Sequence, residues 1–154
     1  TEGSELMASV FRCDLHPAPG GSPLLAIVEN ARESEAFVFT DFGSMGPNRT
    51  VASRERVFQR NIAGQELERL KEAARSEIQK PRSPVSKPCP FEAHVGFRFR
   101  WSGSEAWWLV SDLCQTAMLV TADQNWRGVP AIDLPRGSSE TFLAFAGVDG
   151  SRPK

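Results

Sequence analysis

A chain of 154 residues, 40% hydrophobic and 24% charged, is long enough to bury a core as one ordinary globular domain without disulfide or metal staples. Its net charge of −1 supplies no global field for holding nucleic acid or an anionic membrane, and apolar runs such as Ala117 to Val120 are far too short to span a bilayer. Any such binding has to be local, and the composition points to no particular partner.

The chain starts at Thr1 with small polar residues, TEGSE. A cleaved export signal or lipoprotein anchor is therefore expected, and with it a periplasmic or secreted location, although a trimmed cytoplasmic protein would begin in the same way. Residues 1–5 and 147–154 read as flexible ends of a single domain covering 1–154.

In chain order, Met7 to Cys13 alternates as a first strand, and His16-Pro17-Ala18-Pro19-Gly20-Gly21 ends it in a loop. Leu24 to Val28 and Ala36 to Thr40 then read as a strand pair joined by the polar stretch Glu29 to Glu35. Asp41 to Asn48 is glycine-rich and loop-like. Its DFG tripeptide is a chance match, because a phosphate loop and a catalytic HRD are both missing. Val51 to Ile62 is read as a strand.

From Gln65 to Gln79 the signal changes period. Leu67, Leu70, Ala74 and Ile78 fall on one helical face, and Pro81 and Pro84 stop the helix. The opposite face reads as an ordinary wet surface. Lys80 to Pro90 is a proline-rich connector into the central stretch.

That stretch, Cys89 to Val120, carries most of the information. Val95, Phe97, Phe99 and Trp101 alternate with Gly96, Arg98 and Arg100, so the aromatics are expected in a core and the arginines in water. Ser102-Gly103-Ser104 supplies a turn, Trp107 to Val110 a second strand, and Thr116 to Thr121 a third, which makes an antiparallel meander. Asp123 to Arg136 reads as a long loop with Trp126 partly exposed. Glu140 to Ala146 fits either a helix or a last strand. The fold class is therefore α+β, an antiparallel sheet of about five to seven strands with one face packed against the Gln65–Gln79 helix.

Cys89, His94 and Cys114 form the one chemical constellation in the sequence. Two thiolates and an imidazole could bind zinc if His16, Asp112 or Cys13 gave a fourth ligand, although the spacing matches no zinc ribbon. A Cys–His nucleophilic pair is the enzymatic version. The plainer reading is a Cys89–Cys114 disulfide closing the hairpin, or two inert thiols. Ser102, Ser104 and Ser111 lack a nucleophile-elbow context. Asp112 with Asp123, or Glu92 with Glu105, would serve glycoside cleavage only if the fold brought them together.

The order Cys89-Pro90-Phe91-Glu92-Ala93-His94, strand, turn and a strand ending in Cys114 resembles an uncharacterised family of small bacterial proteins. In that family a helix precedes a Cys-Phe-x-Pro-x-His segment and the following hairpin ends in Cys-x-x-Cys. The similarity covers Val57 to Val120; the motif proline is displaced to Pro90, Glu92 stands in its place, and Ser111 replaces the first cysteine of the pair. Many members are exported or lipid-anchored, so the resemblance implies a periplasmic address and implies no activity. Together these readings lean away from an enzyme and imply no cofactor. They point to a protein-binding domain, such as a periplasmic inhibitor or immunity protein against a toxin or hydrolase, with Trp126, Met45 and Arg127 as candidate contacts.

Overall fold

The computed structural model describes residues 23–41, 50–80, 91–126, 129–135 and 137–148. The expected first strand at Met7 to Cys13, the loop at His16 to Gly21, and Met45, Cys89 and Arg127 lie outside these. Among the described residues, six strands form one antiparallel sheet. They are β1 (Ser34–Phe39), β2 (Arg56–Ile62), β3 (Val95–Trp101), β4 (Ser104–Ser111), β5 (Thr116–Val120) and the short β6 (Ile132–Asp133), in the order β2-β1-β3-β4-β5-β6. Three helices, α1 (Pro23–Asn30), α2 (Gly64–Gln79) and α3 (Ser138–Phe145), complete an α+β domain.

Leu24 to Val28, expected as a strand, is helix α1, and it packs on β3, β4 and β5. The run LLAIV has no polar residue to reveal its period, so a short buried helix and a buried strand look alike. Pro23 at its first position was the available helix signal. Its last carbonyls are met by a lysine: Lys71 Nζ, on α2, donates to the Glu29 oxygen at 3.0 Å and the Ala31 oxygen at 2.6 Å. A cation at a helix C-terminus satisfies orphan acceptors and complements the dipole. The polar side of α2 is thus not uniformly wet, because Lys71 is buried and Arg75 pairs with Glu29 at 3.0 Å. The helix lying over the strands is α1, with α2 beside it contributing Leu67, Leu70 and Ala74 to the same core.

The sheet is apolar on both faces. Ala36, Val95, Phe97, Phe99, Ala106, Trp108, Val110 and Ala117 face the helices. Phe37, Phe39, Trp107, Leu109, Met118 and Val120 form a second cluster with Val51, Ala93 and Trp126. Hence β4 reads as an unbroken buried run from Ala106 to Ser111, as strands covered on both sides do. Gly96 makes the second face possible. A Cβ there would stand 3.0 Å from both Leu109 Cδ2 and Phe39 Cε2, and 3.2 Å from Trp107 Cε3.

The arginines of β3 do not simply face water. Arg98 lies 5.3 Å from the Phe37 ring centroid and 5.7 Å from that of Trp107, and Arg56 of β2 lies 5.6 and 5.2 Å from the same two rings. Two guanidinium groups thus roof the aromatic face. Glu140 to Ala146 resolves as helix α3, with Phe142 on the Trp108 ring at 5.4 Å. The chain does not fray at 147. Gly147, at φ 79°, and Val148 close α3 in a Schellman pattern, with Gly147 N–H donating to Ala144 O and Val148 N–H to Leu143 O, both at 2.9 Å.

Candidate functional site

Three places bring chemistry-bearing side chains together. The first is the Cys/His end. The β3–β4 register places His94 beside the end of β4, where its N–H donates to Val110 O at 2.8 Å and its carbonyl accepts from Phe39 N–H at 2.9 Å. Its ring Nδ1 accepts from the backbone N–H of Asp112 at 3.0 Å. An amide can only donate, so Nδ1 is the acceptor here, the reverse of the geometry in which a carboxylate orients a catalytic imidazole. The Asp112 carboxylate instead accepts from Ser139 Oγ at 2.9 Å. Cys114 is 5% exposed, and its N–H donates to Ser111 Oγ at 3.3 Å.

No cysteine other than Cys114 is among the described residues, so no cysteine pair is seen there. Nor, among those residues, do three His, Cys, Asp or Glu side chains gather as a ligand set; Cys89, Cys13 and His16 lie outside them. The carboxylate pairs do not converge. Asp112 follows β4 and Asp123 follows β5, at opposite ends of the sheet. Glu92 precedes β3 and is committed to Arg54, while Glu105 begins β4 and accepts from Trp107 Nε1 at 2.9 Å. Ser102 and Ser104 sit a full strand from His94, about 20 Å away.

The second place is a buried ion cluster. Arg54, its side chain 3% exposed, donates through Nε to Asp41 Oδ1 and through Nη2 to Glu92 Oε2, both at 2.7 Å. Its guanidinium lies 5.4 Å from the centroid of Trp126. Burial works to raise the Asp41 carboxyl, but the Glu55 backbone N–H and the Arg54 guanidinium outweigh it and hold the group below its ordinary range. Burial likewise works to lower Arg54, and the hydrogen bonds and charges of Asp41 and Glu92 raise it. The cluster fastens the end of β1, the turn before β2 and the lead-in to β3. Trp126, expected at the surface as a partner contact, is 2% exposed, edge-on to Phe39 at 6.1 Å and Phe91 at 5.6 Å. Its loop folds over the second face and turns the indole inward.

The third place is the tip of the β3–β4 hairpin. Trp101 pairs with Ser104, and the intervening Ser102 and Gly103 both have positive φ, 54° and 79°. This two-residue geometry matches the twist of its strands and makes a stiff tip. Trp101 was expected in the core but is 45% exposed. The alternation of β3 is intact, yet β1 begins at Ser34, opposite Phe99, so no neighbouring strand reaches Trp101 on that side.

Beside Trp101 lies a hollow of about 360 Å³, lined by Arg32, Glu33, Glu35, Arg98, Arg100 and neighbouring residues. Glu35 pairs with Arg98, whose Nε donates to Oε1 at 2.6 Å, and touches Arg100 Nη2 at 3.2 Å. Sequence reasoning missed this site. The one available signal was a tryptophan as the last strand residue before a two-residue turn. No known family model, curated protein or solved structure matches this chain, so the resemblance to the small bacterial family stands on the residues quoted for it.

Proposed function

We propose that the chain is a non-enzymatic protein-binding domain, acting in the periplasm as an inhibitor or immunity protein that blocks a toxin or hydrolase. The observation that carries this reading is Trp101, 45% exposed on a stiff turn next to Arg100 and an arginine-lined hollow. Tryptophan and arginine are the residues most often found at the energetic centre of protein interfaces, and a preorganised hairpin loses little entropy on binding. These features support a contact surface at Trp101 and Arg100, and the burial of Trp126 speaks against that residue as a contact.

The expected result is a stoichiometric complex with one protein from the producing cell's periplasmic extract. Its affinity should fall at least about thirtyfold in Trp101→Ala, the loss of a hot-spot side chain. Finding no stoichiometric partner, or an unchanged affinity in the variant, defeats the proposal.

The alternative, metal-binding or enzymatic chemistry at Cys89, His94 and Cys114, has less support, because His94 Nδ1 accepts from a main-chain amide. We read Cys89 as the disulfide partner of Cys114, a link that would stabilise the fold by about 3 kcal/mol through chain entropy. Peptide mapping without reduction should join those two residues. Three free thiols with equimolar zinc would instead restore the chemical reading.

A further inference from the structure

The charges around the Trp101 hollow are unevenly satisfied. Glu35 engages Arg98 through both Nε and Nη2, so that pair is closed. Arg100 meets the same carboxylate oxygen through a single Nη2 contact at 3.2 Å, and its side chain is 59% exposed. Most of its donor fork still faces water. Arg32 is exposed and has no carboxylate partner among the described residues. Two guanidinium groups with spare donors thus share a hollow with one exposed indole. Guanidinium forks match carboxylates in a planar, two-point geometry that a lysine cannot reproduce.

We propose that the hollow receives clustered Asp or Glu side chains of a partner protein, with Arg32 and Arg100 pairing with the carboxylates and the Trp101 indole covering their aliphatic stems. This rests on the protein-binding reading of the same hairpin. A nucleic-acid strand suits the hollow less well. Glu33 and Glu35 in its wall would repel a continuous phosphate chain, and a single exposed ring is not the row of rings on which successive bases stack. An acidic protein surface carries separate charges that can settle between such groups.

The test is a titration of the ¹⁵N-labelled chain with a capped octaglutamate peptide, following the Trp101 indole N–H and the Arg100 Nε–H resonances. Both should move saturably, and raising the salt from about 50 to about 300 mM should weaken binding several-fold. The double variant Arg32→Glu/Arg100→Glu should lose affinity at least about tenfold, whereas Arg69→Glu, on the exposed side of α2, should not. The inference is overturned if the resonances stay still, if the double variant binds as well as the original, or if an oligothymidylate of equal charge binds equally. If the peptide fails while a partner protein still depends on Trp101, the acidic chemistry is wrong and the hairpin reading survives. If the peptide binds but no stoichiometric protein partner exists, the carboxylate site stands and the inhibitor reading falls.

Discussion

Replacing Arg54 by alanine is expected to cost the fold about 3 kcal/mol at pH 7, the lower end of what removing one partner from a buried ion pair costs. Asp41 and Glu92 retain 14% and 15% side-chain exposure, so water screens part of the charge left behind. For a domain of ordinary stability, that is a large fraction of the total. The pH dependence separates charge from packing. In the intact protein Asp41 has a folded pKa below its ordinary 3.8, so its contribution is complete above that value and is lost as pH falls through the folded pKa.

Without Arg54, burial remains and only the backbone N–H of Glu55 opposes it strongly. Asp41 then takes up its proton more readily, and that protonation relieves the repulsion between the two carboxylates. The stability gap between the variant and the intact protein should therefore narrow from pH 7 to pH 4, measured by urea unfolding. An equal gap at both values would mean that Arg54 acts through its contact with Trp126 rather than through charge.

Trp107→Ala and Trp108→Ala should each cost about 3–5 kcal/mol, since both rings are fully buried and each anchors a different face of the sheet. Replacement by phenylalanine should split them. Trp107 Nε1 donates to Glu105, and two guanidinium groups lie over its ring, so Trp107→Phe gives up a charge-assisted hydrogen bond and part of the cation–π attraction, about 1.5–3 kcal/mol. Trp108 Nε1 finds no acceptor among the described residues. Removing that N–H relieves a buried unsatisfied donor, which offsets the lost ring volume, so Trp108→Phe should cost about 1 kcal/mol or less. Chemical unfolding of the four variants checks the order. Equal costs for the two phenylalanine variants would show that the polar edge of Trp107 contributes nothing.

What could be read from the sequence was whatever has a local period. The α2 helix followed from Leu67, Leu70 and Ala74, and the β3–β4–β5 meander followed from alternation and turn residues. Antiparallel pairing across that hairpin also brings His94 beside the end of β4, which makes the Cys/His end partly legible. The failures have non-local causes. LLAIV hid its helical period because every position is apolar. Trp101 alternates as a core residue, but whether it is covered depends on where β1 begins, some sixty positions earlier. Trp126 looked exposed because its neighbours are loop formers, whereas burial was decided by Phe39, Phe91 and Arg54 arriving from elsewhere. The hollow was invisible for the same reason, since Arg32 and Glu35 reach Arg98 and Arg100 only through the sheet.

The strand order has a consequence for how the molecule assembles. β1 pairs locally with β2, and β3, β4 and β5 pair through short turns, so the sheet consists of two ribbons, each of which can zip from its own connection. They join along one seam, β1 against β3, where Glu35 and Arg98 meet across 63 positions of chain. Closing a loop of that length carries an entropic cost before any contact repays it, which places the seam late in folding. Arg32, Glu33 and Glu35 arrive with the first ribbon; Arg98, Arg100 and Trp101 arrive with the second. The hollow comes into being only when the ribbons dock, so an unfinished chain displays neither wall opposite the other.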